Sequence, residues 1–158
     1  MIRRFKNSDA DEVSALIRRT MQICNSNDYP EESIKQLTEL FTSEYLIKRA
    51  EWTHFYVICE DNKIIGCGAI GPYWDKTDES CFFTIFVLPE YQGKGYGRLI
   101  IEALEHDEFF LKSKRIEMSV SPFSNLYICF SVSPPALAKS TSEYSSIGVS
   151  SGVNPNFS

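Results

Sequence analysis

The sequence predicts an α/β fold of the α+β kind: a mixed, mostly antiparallel central sheet flanked by helices. Three observations predict it. Extended and amphipathic segments follow one another from Ile2 to about Val120. Two β-rich segments flank the short polar turn Asp61 to Lys63, as in an antiparallel hairpin. The run CFFTIFVL, Cys81 to Leu88, is apolar almost throughout, which suits a strand buried on both faces at a sheet centre.

Taken in order, Ile2 to Phe5 is a short first strand. Ser8 and Asp11 stand at capping-box spacing ahead of a helix in which Val13, Leu16, Ile17, Thr20 and Met21 recur at helical intervals, to about Cys24. Asn25 to Asp28 punctuates the chain, and Pro30, Glu31 and Glu32 suit the first turn of a second helix. Ile34, Leu37, Leu40 and Phe41 form its apolar stripe, and Ser43 caps a further short helix through Arg49. His54 to Glu60 is a strand, and extended structure resumes from Ile64 to Trp74. Trp74 to Ser80 is a polar turn before the apolar run, which Pro89 stops. Arg98 to Phe110 is a helix carrying Leu99, Ile100, Ala103 and Leu104, and Lys114 to Val120 is a last strand. The order is β-α-α-β-β-β-α-β.

A chain of 158 residues suits one domain, burying roughly 70 % of its unfolded surface. With 43 % hydrophobic and 23 % charged residues it reads as an ordinary soluble globule. The net charge of −5 argues against a general affinity for nucleic acid or anionic membrane. No apolar run approaches the ~20 residues that span a bilayer. The amino terminus, MIRRFKNSDADEV, has no apolar stretch of a secretory signal. Cys24, Cys59, Cys67, Cys81 and Cys129 form no CxxC pair, so no zinc site is expected. An odd number of thiols without an export signal reads as reduced and cytoplasmic, with Cys59, Cys67 and Cys81 packed in strands.

The composition changes after Glu117. From Met118 onward only Lys139 and Glu143 are charged, serines accumulate, and Pro134, Pro135 and Pro155 break any period. Residues 1–120 therefore read as the folded core, and 121–158 as an atypical Ser/Pro-rich tail, poorly ordered from about 131.

Two glycine-rich stretches compete for chemistry. Gly66, Gly68 and Gly71 match G-x-G-x-x-G, but Pro72, Tyr73 and Trp74 follow where that fingerprint needs a helix. These glycines read as relief of crowding, or a bulge, within a strand. The second stretch, Gln92-Gly93-Lys94-Gly95-Tyr96-Gly97, lies between a strand ending Leu88-Pro89 and a helix. Backbone N–H groups and the helix dipole at such a junction attract an anion, and Lys94 and Arg98 add charge. The P-loop pattern is absent, so a pyrophosphate is expected there without a metal.

Gln92-x-x-Gly95-x-Gly97 after a strand ending Val-Leu-Pro resembles the acyl-CoA signature of the GNAT superfamily of N-acetyltransferases. The resemblance extends over the order of elements from Ile2 to about Val120. It implies acetyl-CoA as co-substrate and direct attack by an amine on the thioester, with no nucleophilic side chain. It implies that Gly93, Lys94, Gly95, Tyr96, Gly97 and Arg98 surround the pyrophosphate, with Gln92 at the loop entrance. It also implies that an N–H from Phe86, Val87 or Leu88 polarises the thioester oxygen. The strand beginning near Arg115 should splay from the one ending at Val87 and admit the cofactor.

The general base is unassigned: Glu79 reads as surface charge, and His54 and His106 are no better placed. The one candidate for the acid is Tyr127, although Leu126-Tyr127-Ile128 lacks the Phe-Tyr pair of related chains and no Lys-x-Gly-Phe/Tyr follows. The resemblance implies a small-molecule or peptide amine as acceptor and allows a homodimer. Asp75, Asp78 and Glu79 make the 71–79 turn acidic, and Trp52, Tyr73 and Trp74 either line a pocket or pack in the core. The loss of charge after Glu117, beside so good a match before it, points to a carboxyl-terminal stretch read in a different frame. A catalytically impaired CoA-binding or interaction module is the alternative reading.

Overall fold

The computed structural model describes residues 1–25 and 30–118. The expectations for the 121–158 tail, including Tyr127, lie outside the described residues. Five strands form one sheet in the order β1 (Ile2–Arg4), β2 (His54–Glu60), β3 (Lys63–Pro72), β4 (Glu79–Val87) and β5 (Arg115–Met118). All neighbours are antiparallel except β4 and β5, which run parallel with Glu79 opposite Arg115 and Phe82 opposite Met118. The hairpin between β2 and β3 turns on Asp61 and Asn62, both at positive φ (48° and 63°). Short Asx side chains tolerate that region, and the resulting twist suits a two-residue hairpin.

Helices α1 (Ala10–Asn25), α2 (Glu31–Leu40) and α3 (Ser43–Trp52) precede β2, and α4 (Tyr96–Glu105) and α5 (Glu108–Lys112) follow β4. Successive strand residues point to opposite faces. Phe83 meets Trp52 of α3, while Phe82 stacks on Phe110 of α5, so α3 and α5 cover opposite faces of β4. Val13, Ile17, Leu46, Phe55, Val57, Ile65, Ile70, Ile100 and Leu104 are fully buried between these layers.

Several signals act one residue or more from where the sequence suggests. Asp9 rather than Ser8 fixes the start of the first helical segment. Its carboxylate accepts from the Lys6 N–H at 2.8 Å and takes two bonds from the Arg3 guanidinium, at 2.7 and 2.9 Å. Thr42 rather than Ser43 caps α3, its hydroxyl accepting from the Tyr45 N–H at 3.1 Å. The helix expected over 98–110 is broken into α4 and α5 because the Asp107 carboxylate accepts from the Phe109 N–H and starts a new helix. Burial on both faces of β4 holds for Ser80 to Phe82 only; Phe83 to Val87 are partly exposed. Among the described residues, β5 accompanies β4 no further than Phe82.

The glycines of β3 have a packing explanation. A Cβ on Gly68 would lie 2.4 Å from Ile100 Cγ2, and one on Gly71 2.8 Å from Thr53 Cγ2. Helix α4 thus rests on bare backbone at Gly68. Gly68→Val is expected to cost about 1–3 kcal/mol through overpacking, read as a lower urea midpoint; an unchanged midpoint would show that α4 is not seated there.

The Arg3 guanidinium, with help from the Lys6 N–H, holds the Asp9 carboxyl below its ordinary range against the opposing effect of burial. A depressed folded pKa gives stability that is complete above the unfolded value, about 4, and is lost as pH falls through the folded one. Asp9→Asn is therefore expected to destabilise by about 1–2 kcal/mol at pH 7. The gap from wild type should narrow as pH falls below the unfolded value, about 4, and close once it has passed the still lower folded one, measured by denaturant unfolding across pH.

Candidate active site

The ladder between β3 and β4 is broken at one point. Cys67 faces Phe86 while Ala69 faces Phe83, so β4 carries one residue more than β3 across this interval. Thr84, inside the bulge, has φ +54°. A β-branched residue rarely adopts that conformation, and a bulge re-aims the strand that carries it. The buried Cys67 thiol donates to the Thr84 carbonyl at 3.4 Å. Past the bulge, the Leu88 N–H donates to Ile65 O at 2.9 Å. By antiparallel alternation the Phe86 N–H also faces β3, and the Val87 N–H faces the other way. Of the three N–H groups considered for the thioester oxygen, Leu88's is committed and Val87's has the outward direction.

Beyond β4, Pro89–Tyr91 makes a single 3₁₀ turn into the glycine loop. Gln92 closes the loop entrance by donating from Nε2 to Val87 O at 2.9 Å; the same nitrogen lies 3.5 Å from Cys24 Sγ. Gly93 (φ +74°) and Gly95 (φ +90°) adopt left-handed conformations, and Gly95 is the N-cap of α4. Gly97 is different: its φ is ordinary, and a Cβ there would meet nothing within 4 Å. Neither backbone nor packing demands glycine at that position. A surface left bare at the first turn of a helix, where N–H groups lack intrahelical acceptors, is a cradle for an anion. The first bond to close in α4 is Leu99 N–H to Gly95 O, at 3.1 Å.

Side chains brace the loop without filling it. Tyr96 donates to Glu60 Oε2 at 2.6 Å, tying the start of α4 to the end of β2. Lys94 Nζ lies 5.2 Å from the Tyr91 ring centroid. Arg98, expected to add charge, pairs instead with Glu102 at 3.0 Å on the helix surface. Phe86, Val87, Leu88 and the Gln92–Arg98 loop thus converge at one end of β4.

The sequence profile described as the acetyltransferase (GNAT) family matches residues 15–127. The chain belongs to the GNAT acetyltransferase family. Solved structures agree in fold. The PaiA N-acetyltransferase of Thermoplasma acidophilum, in complex with coenzyme A, is 20% identical with a TM-score of 0.60, covering 66% of this chain and 69% of that one. A GCN5-related N-acetyltransferase from Rhodopseudomonas palustris is 17% identical with a TM-score of 0.64, over 78% and 74%. A GNAT family acetyltransferase from Brucella melitensis, in complex with acetyl-CoA, is 18% identical with a TM-score of 0.56, over 77% and 75%. No curated protein matches the sequence. Family and fold support an N-acetyltransferase enzyme.

Other GNAT-site expectations fare unevenly. Glu79 is not a free surface charge: its side chain is 16% exposed and meets Lys76 at 3.0 Å and Arg115 at 3.7 Å. Asp78 meets Lys114 at 3.3 Å, so the acidity of the 71–79 turn is largely balanced. A shallow cavity of about 370 Å³ beside that turn is lined by Trp74, Asp75, Glu79, Phe109 and Lys112, among others. Trp74 is 82% exposed and packs no core. His106 is exposed, its Nδ1 2.6 Å from Glu102 O. No helix of the described residues is long and apolar enough to cross a membrane, and none of their His, Cys, Asp and Glu side chains cluster as a metal site.

Two arrangements escaped the sequence reading. Asp107, buried, gathers His54 Nδ1 (2.8 Å), the Tyr56 hydroxyl (2.6 Å) and Arg4 (3.6 Å). These residues are far apart in sequence and no short-range pattern links them. Arg49 lies among the rings of Tyr45, Trp52 and Phe83. Here a signal existed: Tyr45, Arg49 and Trp52 share one helix face by their i, i+4, i+7 spacing.

Burial pushes the Cys67 thiol up to about 12, whereas Cys24 is exposed beside Gln92. Iodoacetamide at pH 8 is expected to label Cys24 while Cys67 stays unmodified in the native protein, as peptide mapping would show. Labelling of Cys67 at a comparable rate would contradict its packing.

Proposed function

We propose that this acetyltransferase moves an acetyl group from acetyl-CoA to an amine by direct attack, without a covalent enzyme intermediate or a metal. The observation that carries the reading is the bare loop: glycine at position 97, where the protein itself gains nothing from it. The N–H groups of Gly93 to Arg98 would hold the pyrophosphate, with Gln92 setting the loop entrance and Lys94 adding charge. Phe86 to Leu88 would line the pantetheine arm, and the Val87 N–H would stabilise charge on the acyl oxygen.

Acetyl-CoA supplies an acyl group already activated as a thioester. The chain then has two tasks, to align the acceptor amine with that carbonyl and to manage one proton. The amine enters as an ammonium and must lose a proton before it attacks; the departing sulfur must gain one. Neither group is assigned among the described residues.

Calorimetry with acetyl-CoA, ATP and NAD tests the reading; heat with the nucleotides but not with acetyl-CoA would overturn it. Thiol release across an amine panel then divides enzyme from CoA-binding module. Gly95→Glu is expected to abolish binding, because it strains the left-handed cap and places a negative charge in the cradle together. Lys94→Ala should weaken binding less, since backbone groups make most of the contact. A Gly95→Glu affinity within about threefold of wild type, under ~0.7 kcal/mol, would remove the loop from the site.

A further inference from the structure

We propose that Arg49 is the acceptor-binding residue of this enzyme, holding the carboxylate of an acceptor that carries both an amine and a carboxylate. The assignment rests on the acyl-transfer reading above and names the substrate class of the same site.

The guanidinium of Arg49 lies 5.0 Å from the Tyr45 ring centroid, 5.4 Å from Trp52 and 4.9 Å from Phe83. Aromatic faces of this kind attract a cation while stripping its water. Nη2 donates to the Tyr45 hydroxyl, a neutral partner. Nε is buried and has no hydrogen-bond partner among the described residues. Arg3, Arg19, Arg98 and Arg115 each meet a carboxylate, at Asp9, Glu90, Glu102 and Glu117. Arg49 meets none among the described residues. A buried donor on a cation leaves an electrostatic demand that a planar, two-oxygen anion answers best.

Its position fits the reaction. Phe83, under the guanidinium, immediately precedes the Thr84 bulge, and the proposed cofactor end of β4 begins at Phe86, three residues from Phe83 and about 10 Å away at ordinary strand rise. Arg49, on α3, therefore stands over β4 on one side of the bulge, with the Phe86–Leu88 segment on the other. The balanced charges of Asp78 and Glu79 leave the 71–79 turn a poor trap for a second cation. Trp52, 47% exposed, is the wall of the cage that an entering carboxylate displaces.

The test uses the full chain saturated with CoA and reads binding, so it does not depend on turnover. Phenylalanine is titrated against phenethylamine, and lysine against cadaverine, each pair differing by one carboxylate. In at least one pair the amino acid is expected to bind about tenfold or more tightly than its partner. Arg49→Lys keeps the charge but not the planar fork and should reduce that ratio to about threefold or less; Arg49→Met should erase it. Melting temperature and CoA affinity of both variants report whether fold and cofactor cleft persist. CoA binding without any carboxylate preference in wild type, or a preference that survives in both variants, overturns the assignment alone. Absence of CoA binding overturns the acyl-CoA reading and this assignment with it.

Discussion

Helix α4 lies on the sheet only because β3 has no side chain at Gly68, where a Cβ would stand 2.4 Å from Ile100. The rest of the loop end of the sheet follows from that contact. With its middle seated on β3, α4 must begin just beyond the end of β4, and the link between them has only Leu88 to Gly95 in which to reverse direction. A reversal that short demands left-handed residues, and Gly93 and Gly95 supply them. The helix terminus then presents its N–H groups at the end of the strand that carries Phe86 and Val87. The bare helix terminus and the end of β4 meet as a consequence of packing, before any binding residue is chosen.

Polar contacts keep that seat in register. At the start of α4 the Tyr96 hydroxyl holds Glu60, and past its end the buried Asp107 gathers His54 and Tyr56. Both anchors are on β2, so the helix is tied at two points to a strand on the far side of β3. A buried carboxylate with several donors is costly to break one partner at a time. Cys67 does comparable work across the bulge, because its thiol meets the Thr84 carbonyl that departs from the regular ladder. Strain at Thr84, of order 1–3 kcal/mol for such a conformation, persists only where the surroundings enforce it.

The legible parts of this fold were those governed by local rules. Apolar period located α1, α2 and α4, Asp61 to Lys63 announced the hairpin, and Pro89 with the following glycines placed the loop between β4 and α4. The rejection of Gly66-x-Gly68-x-x-Gly71 as a nucleotide fingerprint agrees with its position inside β3. What was not legible depended on partners distant in sequence. Asp107 interrupts an apolar period that reads as one helix, because its carboxylate is committed at the same time to Phe109, His54 and Tyr56. Asp9 outcompetes Ser8 because Arg3, one strand earlier, reaches it with two bonds. The Thr84 bulge has no signature in CFFTIFVL at all, since it arises from how that run pairs with a strand containing Gly68. Arg49 was passed over for a simpler reason: a lone arginine on a helix is ordinary until its neighbours are known to be rings.

The distribution of chemistry along β4 limits how the proton can travel. From Phe83 to Val87 the side chains are Phe, Thr, Ile, Phe and Val, none of which titrates near neutrality. The strand offers backbone groups and shape, which suits polarising a carbonyl, but no acid or base. Glu79, the carboxylate on the same face as Phe83, is two strand repeats away and already shared by Lys76 and Arg115. Its separation from Val87, eight residues, is about 26 Å along an extended strand, too far for direct transfer to a group held near the loop. In the proposed reaction, proton movement would therefore call on water or a side chain from outside β4. Recognition of both substrates by fixed groups, the cradle at one end and Arg49 at the other, is compatible with that division. On the proposed reading, alignment would come from the sheet and its helices, and proton transfer from a more adaptable source.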